Sequence, residues 1–130
     1  MDFKTFMQQR DRAALAYCQG DGRPVNALST RSDPASFFGP DGSVLQGAEK
    51  IKSAYTDGAS MFGARGTSRL EILQCEADGN IGYWCGVQHA EAEIDGRQVS
   101  MTLRITELFR REHGDWKLVH RHADMAKKGA

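Results

Sequence analysis

The sequence predicts an α+β domain, with helices in its N-terminal half and strands in its C-terminal half. Residues 3–18 and 48–62 place apolar side chains at helical spacing. From residue 69 onward the period becomes that of strands, and Gly-containing turns at 78–80 and 95–96 interrupt it. Helices followed by an antiparallel meander are typical of this fold class.

The N-terminal half predicts, in order, a long helix, a short helix, a small hairpin and a second long helix. Pro24 suits the first position of the short helix, at 23–29. The aromatic pair 37–38 lies between two Pro-containing turns, which predicts a short extended segment. Its expected partner is 44–45, and the helix at 48–62 follows.

The C-terminal half predicts four antiparallel strands, at 69–76, 81–94, 101–111 and 116–124. The last two form a hairpin through the connection 112–115, which contains Gly114. Residues 125–130 are expected to be a flexible tail. At 130 residues, the chain 1–130 is expected to be a single domain.

Charge and composition exclude several classes of function. Seventeen basic and seventeen acidic residues cancel, so binding to nucleic acid or an anionic membrane is not expected. No segment approaches the ~20 apolar residues of a membrane span, and the N-terminus has no signal-peptide pattern. Cys18, Cys75 and Cys85 have no disulfide or zinc-finger spacing, which favours a reduced, cytoplasmic protein. Phosphate-binding loops are absent, so no cofactor is predicted.

Several motifs together resemble the SnoaL-like branch of the nuclear transport factor 2 superfamily. They are Gly20-Asp21, Phe37-Phe38-Gly39-Pro40-x-Gly42, the helix after Gln46-Gly47, the strand 103–111, and Trp116-x-Leu-Val-His-x-His122. The resemblance implies a cone: a curved antiparallel sheet, made of the meander and the short N-terminal strands, is roofed by the helices and encloses a pocket. Ketosteroid isomerase, polyketide cyclases and the association domain of calcium/calmodulin-dependent kinase II share this fold, so it does not by itself imply a reaction.

Strand alternation decides which side chains face the pocket. If the 112–115 connection contains a Gly bulge, one face carries Ile105, Glu107, Phe109, Val119, Arg121 and Ala123. A two-residue turn would instead group Glu107 with His120 and His122. The resemblance favours the first grouping, because the matching position points into the pocket in the kinase association domain and is a pocket carboxylic acid in ketosteroid isomerase.

The expected pocket also includes residues from neighbouring elements. Pairing across the turn at 95–96 adds Trp84 and Gln88 to the face of Glu107. Tyr17 and Tyr55 on the helices could offer hydroxyl groups to the pocket, or be ordinary core residues.

Glu107 is the main catalytic candidate, with Arg121 beside it. A carboxyl group enclosed by apolar side chains loses solvation, which raises its pKa and suits general acid or base catalysis. Alternatively, Arg121 pairs with Glu107 and keeps it ionised in a structural ion pair. In a third interpretation Arg121 binds the carboxylate of a ligand. The catalytic tyrosine and aspartate of ketosteroid isomerase fall on Arg12 and Gly39, so its proton-transfer route is not expected here.

The opposite, convex face of the sheet carries an alternative polar cluster, made of Arg104, His120, His122 and Asp124. No metal site is predicted, because a third ligand at fixed spacing is lacking. With inverted parity the histidines would become the acid/base candidates. The same face carries Val87, Leu108 and Leu118, and the helices can cover only one face. A homodimer through the convex face is therefore predicted, with Arg104 at its interface.

The sequence therefore predicts a SnoaL-like domain that binds an unidentified small molecule. It would act as a cofactor-free isomerase, cyclase or lyase if Glu107 is an acid or base. The alternative is a non-catalytic module for ligand binding or dimerisation.

Overall fold

The computed structural model describes residues 1–127 and contains three helices and six strands within that range. In chain order they are α1 (Phe3–Cys18), α2 (Arg23–Leu28), β1 (Ser36–Phe38), β2 (Val44–Gln46), α3 (Ala48–Ser60), β3 (Thr67–Asp78), β4 (Ile81–Ile94), β5 (Arg97–Glu112) and β6 (Asp115–Met125). The predicted α+β class is confirmed.

The six strands form one curled sheet that does not close, in the order β2-β1-β6-β5-β4-β3. The meander β3 to β6 is antiparallel throughout. The sheet as a whole is mixed, because β1 pairs parallel to β6. These two strands are far apart in sequence and are not joined by a hairpin, so nothing imposes an antiparallel pairing on them.

The β5–β6 hairpin differs from the expected geometry. Its turn has two residues, His113 and Gly114, with φ angles of 50° and 85°, which is the conformation of a type I′ turn. The predicted Gly bulge in this turn is therefore wrong. An irregularity lies further along instead: Phe109 pairs with Leu118 but Leu108 pairs with His120, which leaves Val119 as the bulged residue.

This bulge decides which side chains face the helices. If β5 and β6 paired without any bulge from the two-residue turn onward, His120 would lie opposite Glu107. The extra residue at Val119 places Arg121 opposite Glu107 instead. This is the pairing that the sequence predicted, although the prediction placed the bulge in the turn. Leu118, not Val119, shares the face of Phe109 and is buried in the core. The expected grouping is therefore wrong at these two positions.

The helices pack on the concave face of the sheet, and α1 contacts β3 and β4. Aromatic side chains join the two layers: the Phe3 ring lies 5.4 Å from Phe109 and 5.0 Å from Trp116, and the Phe6 ring lies 5.3 Å from Phe109. Edge-to-face pairs of this kind stabilise a core beyond the area they bury. Within residues 1–127, no helix combines the length and the apolar character needed to cross a membrane.

The chain remains ordered in the sheet beyond the expected start of a tail at residue 125. Met125 belongs to β6, and the Ala126 N–H donates to the Thr102 carbonyl at 2.9 Å. The rest of the predicted tail, 128–130, lies outside the described residues.

Candidate functional site

A cavity of about 180 Å³ lies between the helices and the concave face of the sheet. Most of its wall is apolar or aromatic. The lining side chains are Arg10, Ala14, Tyr17, Cys18, Val25, Phe37, Pro40, Tyr55, Phe62, Gln88, Ala90, Met101, Leu103, Arg121 and Ala123. An apolar cavity with a few convergent polar groups is the usual form of a small-molecule site.

Glu107 lies at the centre of a buried ionic cluster formed by Arg10, Glu107 and Arg121. Its Oε1 accepts hydrogen bonds from Arg10 Nε at 2.9 Å and from Trp84 Nε1 at 2.7 Å. Its Oε2 accepts from Arg10 Nη2 and from Arg121 Nη1, both at 2.8 Å. Glu107 is fully buried, and both arginines are nearly so. Arg10 and Arg121 line the cavity, whereas Glu107 is bonded to them and does not.

The electrostatics of the ionic cluster keep Glu107 ionised. Burial alone would raise the pKa of this carboxyl, but the charges and hydrogen bonds of Arg10 and Arg121 outweigh burial and lower it to about 2. The expectation of a raised pKa is therefore wrong. Solvation is lost as predicted, but two guanidinium groups stabilise the charged form. Of the alternatives drawn from the sequence, the ion pair with Arg121 is the arrangement present.

Arg10 is the site residue that sequence reasoning missed. It is 3% exposed and its bond to Glu107 spans 97 residues of sequence. A signal was present: Arg10 lies one helical turn from both Met7 and Ala14, in the middle of the apolar side of α1. A charged residue at such a position is rarely buried without a partner, so it points to a buried acid elsewhere.

The polar network continues from Arg121 along β4. Arg121 Nη2 donates to Gln88 Oε1 at 2.9 Å, and Gln88 Nε2 donates to Ser68 Oγ at 3.0 Å. The sequence placed Gln88 on this face but contained no sign of its partner Ser68. Arg121 donates to Glu107 through Nη1 and to Gln88 through Nη2. Its planar guanidinium therefore has a defined orientation at the cavity wall.

The other side chains expected in the pocket divide into two groups. Tyr17 and Tyr55 line the cavity, and burial raises the pKa of both phenols. Trp84, Ile105 and Phe109 are buried in the core around the ionic cluster and are not part of the cavity wall. Val119 is half-buried at the bulge and does not line the cavity either.

The polar cluster of the convex face is more exposed. Arg104 pairs with Asp124, with Nε to Oδ1 at 2.6 Å and Nη2 to Oδ2 at 2.9 Å. His120 Nδ1 lies 2.7 Å from Ser36 Oγ, and His122 Nε2 lies 3.7 Å from Asp124 Oδ2. Across residues 1–127, no group of three or more His, Cys, Asp or Glu side chains could hold a metal ion.

The convex face is also where the homodimer is predicted. Leu108 is 40% exposed there, while Leu118 belongs to the core and offers no surface to a partner. The homodimer, and Arg104 as a residue of its interface, stay predictions.

The SnoaL-like domain family matches residues 8–127. This match covers most of the chain. The chain therefore belongs to the SnoaL-like domain family, and the resemblance inferred from the sequence is confirmed.

Solved structures agree on the fold. A nuclear transport factor 2-like superfamily protein from Salmonella enterica serovar Typhimurium has a TM-score of 0.80, with 19% identity over 98% of this chain and 92% of that one. A protein with a cystatin-like fold from Caulobacter vibrioides has a TM-score of 0.74, with 16% identity over 96% and 87% of the two chains. A nuclear transport factor 2-like protein from Rhodospirillum rubrum has a TM-score of 0.71, with 23% identity over 98% and 100%.

One curated relative covers a smaller share of its own length. The chain is 32% identical over 88 residues to the Probable GTP-binding protein EngB of Stenotrophomonas maltophilia. The aligned part is 68% of this chain but 43% of that protein, so the chain spans less than half the length of this relative. The loop pattern G-x-x-x-x-G-K-[ST], which binds nucleoside phosphates, does not occur in the present sequence.

Proposed function

We propose that this domain binds a small molecule in the cavity and does not use Glu107 as an acid or base. The observation that carries the proposal is the saturation of the Glu107 carboxylate by four hydrogen bonds from Arg10, Trp84 and Arg121. Glu107 then has a structural role: it holds two arginines at the wall of a ligand site.

The chemistry of proton transfer disfavours Glu107 as a base. A carboxylate has about four lone-pair positions, and the four donors occupy them. A pKa of about 2 also makes the carboxylate a weak base near neutral pH, where efficient catalysis needs a pKa close to the working pH. Glu107 would have to lose an arginine partner before it could take a proton from a ligand.

The shape of the cavity supports binding. Its volume of about 180 Å³ exceeds the ~150 Å³ of an engineered apolar cavity that binds benzene. Cavities of drug-sized ligands are larger, about 300–1,000 Å³. The ligand is therefore about the size of a single ring with a short substituent.

A cofactor-free isomerase, cyclase or lyase with Glu107 as acid or base is the second candidate. It is favoured by the direct contact of Glu107 with two side chains of the cavity wall. The two functions differ in the protonation of Glu107, which must change during the reaction in the second candidate and stays constant in the first.

Titration of Glu107 separates the two. In protein with ¹³C-labelled glutamate, the carboxyl resonance of Glu107 should remain that of an ionised group down to about pH 4, which is close to the pKa of glutamate in a model peptide. The resonance is assigned by its loss in Glu107→Asp. A Glu107 carboxyl that titrates near neutral pH would overturn the proposal and favour acid/base chemistry.

A second measurement tests whether the cavity holds a ligand. Benzyl alcohol should bind and perturb the NMR signals of Tyr17 and Tyr55, which line the cavity. Ala14→Leu adds three carbon atoms to the cavity wall and should weaken this binding at least tenfold. The control is Ala77→Leu, the same change at an exposed position of β3. Equal affinity of benzyl alcohol for Ala14→Leu and for the unmodified protein would place the bound probe outside the cavity and contradict a ligand site here.

A further inference from the structure

We propose that the ligand of this cavity is an organic monoanion, a carboxylate carried on a single-ring-sized apolar body, held by Arg10 and Arg121. This inference rests on the proposed binding function and specifies the chemical class of its ligand. It is drawn from the net charge of the ionic cluster, an unpartnered guanidinium nitrogen, and the aromatic wall.

The ionic cluster has one positive charge in excess. Two guanidinium groups face a single carboxylate, which is ionised because its pKa lies at about 2. The other titratable side chains of the cavity wall are Tyr17, Tyr55 and Cys18, and burial raises the pKa of each, so they remain neutral near pH 7. Among the described residues, no acidic side chain lines the cavity. One negative charge on the ligand balances this site.

Arg10 has hydrogen-bonding capacity that the described part of the chain does not use. Its Nε and Nη2 donate to Glu107, while Nη1 is buried and has no partner within residues 1–127. A buried donor without an acceptor is uncommon and calls for an explanation, such as a ligand atom. Arg10 itself is almost completely buried and belongs to the cavity wall. A carboxylate oxygen is the acceptor that guanidinium groups bind best.

The single excess positive charge of the site favours a carboxylate over a phosphate monoester. A phosphate monoester carries close to two negative charges near pH 7, which is more than the single excess charge of the site. A carboxylate carries one. Its planar oxygens also match the planar donors of an arginine.

The remainder of the wall suits a flat apolar ring. The Tyr55 ring lies 5.6 Å from Phe37 and 6.1 Å from Tyr17, and the Tyr17 ring lies 5.7 Å from Phe62, all edge to face. Four aromatic side chains that line one cavity in this way present ring faces and edges to a ligand ring. Together with the arginines they form a site with an apolar part and a cationic part.

The test compares two probes that share a ring and differ in charge. Benzoate and benzyl alcohol are titrated into the protein at pH 7 by calorimetry. Benzoate should bind at least tenfold more tightly. In ¹⁵N NMR spectra, benzoate should shift the side-chain N–H signals of Arg10 and Arg121, whereas benzyl alcohol should shift them less.

A pair of variants ties the preference to the cavity. Arg121→Met leaves Arg10 and Glu107 as a neutral pair, so benzoate should lose its advantage while benzyl alcohol still binds. Arg104→Met removes an arginine from the exposed face of the neighbouring strand and should change neither affinity. If Arg121→Met does not fold, the triple variant Arg10→Met, Glu107→Leu, Arg121→Met replaces the ionic cluster by apolar side chains, a change that buried charge triads can tolerate.

The outcomes are distinct. A benzoate preference that disappears with Arg121, or with the whole ionic cluster, supports the inference. Equal affinity for the two probes overturns the inference and leaves the binding function intact. A benzoate preference that persists without Arg121, or without the whole ionic cluster, places the anion elsewhere and overturns the inference. If neither probe binds the unmodified protein, the proposed function fails as well.

Discussion

Two ion pairs lie side by side on the last hairpin and behave differently. Glu107 and Arg121 are directly opposite each other on β5 and β6, and so are Arg104 and Asp124. Both pairs have contacts shorter than 3 Å. The first pair points to the concave face, where the Glu107 side chain is 0% exposed, and the second points to the convex face, where the Arg104 side chain is 68% exposed.

The two pairs contain the same kinds of charged group and differ in burial. Burial therefore decides how strongly each pair contributes to the stability of the fold. On the convex face water solvates both partners, so separating them costs little. On the concave face water is excluded and a third residue, Arg10, joins the pair. Removing one partner there leaves charge without solvation, which is costly. An arginine paired with a carboxylate therefore produces a surface contact in one place and the frame of a candidate ligand site in the other.

The largest expected difference follows from removing each carboxylate. Glu107→Gln leaves Arg10 and Arg121 buried without a counter-charge and should lower the free energy of unfolding by about 3–5 kcal/mol. Asp124→Asn, the matched change on the convex face, should lower it far less, because water solvates both partners of that pair. Urea unfolding of both variants measures the difference. Equal losses would mean that burial does not distinguish the two pairs.

Low pH should produce the second largest difference in stability between the two ion pairs. The pKa of Glu107 is lowered from 4.5 to about 2 in the folded protein. Its ionised form therefore contributes stability that is fully present above about pH 4.5 and is lost as the pH falls towards 2. Urea unfolding at a series of acidic pH values should show this loss in the unmodified protein and in Asp124→Asn. A Glu107→Gln variant that loses as much stability in this range would assign the loss to other carboxyl groups.

Removing the arginines should have a smaller effect. Arg121→Met takes one hydrogen bond from Glu107 and one from Gln88, but Arg10 still neutralises Glu107, so a loss of about 1–3 kcal/mol is expected. Arg104→Met should lower the free energy of unfolding by less than Arg121→Met does, because an exposed ion pair contributes little to stability. Both are measured by urea unfolding at pH 7. A cost for Arg104→Met as large as that for Arg121→Met would suggest that the convex face is covered, as in the predicted homodimer.

Salt should have the smallest effect and act on one pair only. At 1 M ionic strength the screening length is about 3 Å, which weakens exposed pairs and leaves buried ones almost unchanged. The coupling energy between Arg104 and Asp124, from a double-mutant cycle, should fall towards zero in 1 M NaCl. The coupling between Glu107 and Arg121 should change much less, because salt screens buried pairs only weakly. A salt-sensitive inner pair would mean that water and ions reach it.

Much of the fold was predictable from local patterns. The hydrophobic period separated helices from strands, and the strand at 81–94 was predicted with the bounds that the structure has. Positive-φ turns such as Asp95-Gly96 were visible in the sequence because few residue types adopt that conformation. The bulge at Val119 was not visible, since no residue type marks this kind of irregularity and its position depends on how β5 and β6 fit the curled sheet.

The candidate site was predictable only in part. Alternation and the resemblance placed Glu107 inward, but the lowering of its pKa involves Arg10 as well as Arg121, and the sequence did not connect Arg10 to Glu107. Trp84 and Phe109 were correctly expected to be buried near Glu107, yet they pack in the core and not at the cavity wall. Whether a buried side chain meets a cavity depends on the packing of all layers, which no single strand pattern contains.

The sequence by itself determined which segments are helices and strands, where the main turns fall, and the SnoaL-like family of the chain. These features depend on interactions between residues that are close in sequence, or on motifs that can be read directly. Only the tertiary structure decided that Arg10 on α1 and Arg121 on β6 converge on Glu107, with one positive charge left for the cavity. Arg10 and Glu107 are 97 residues apart, so folding alone brings them into the dry interior where their charges act strongly.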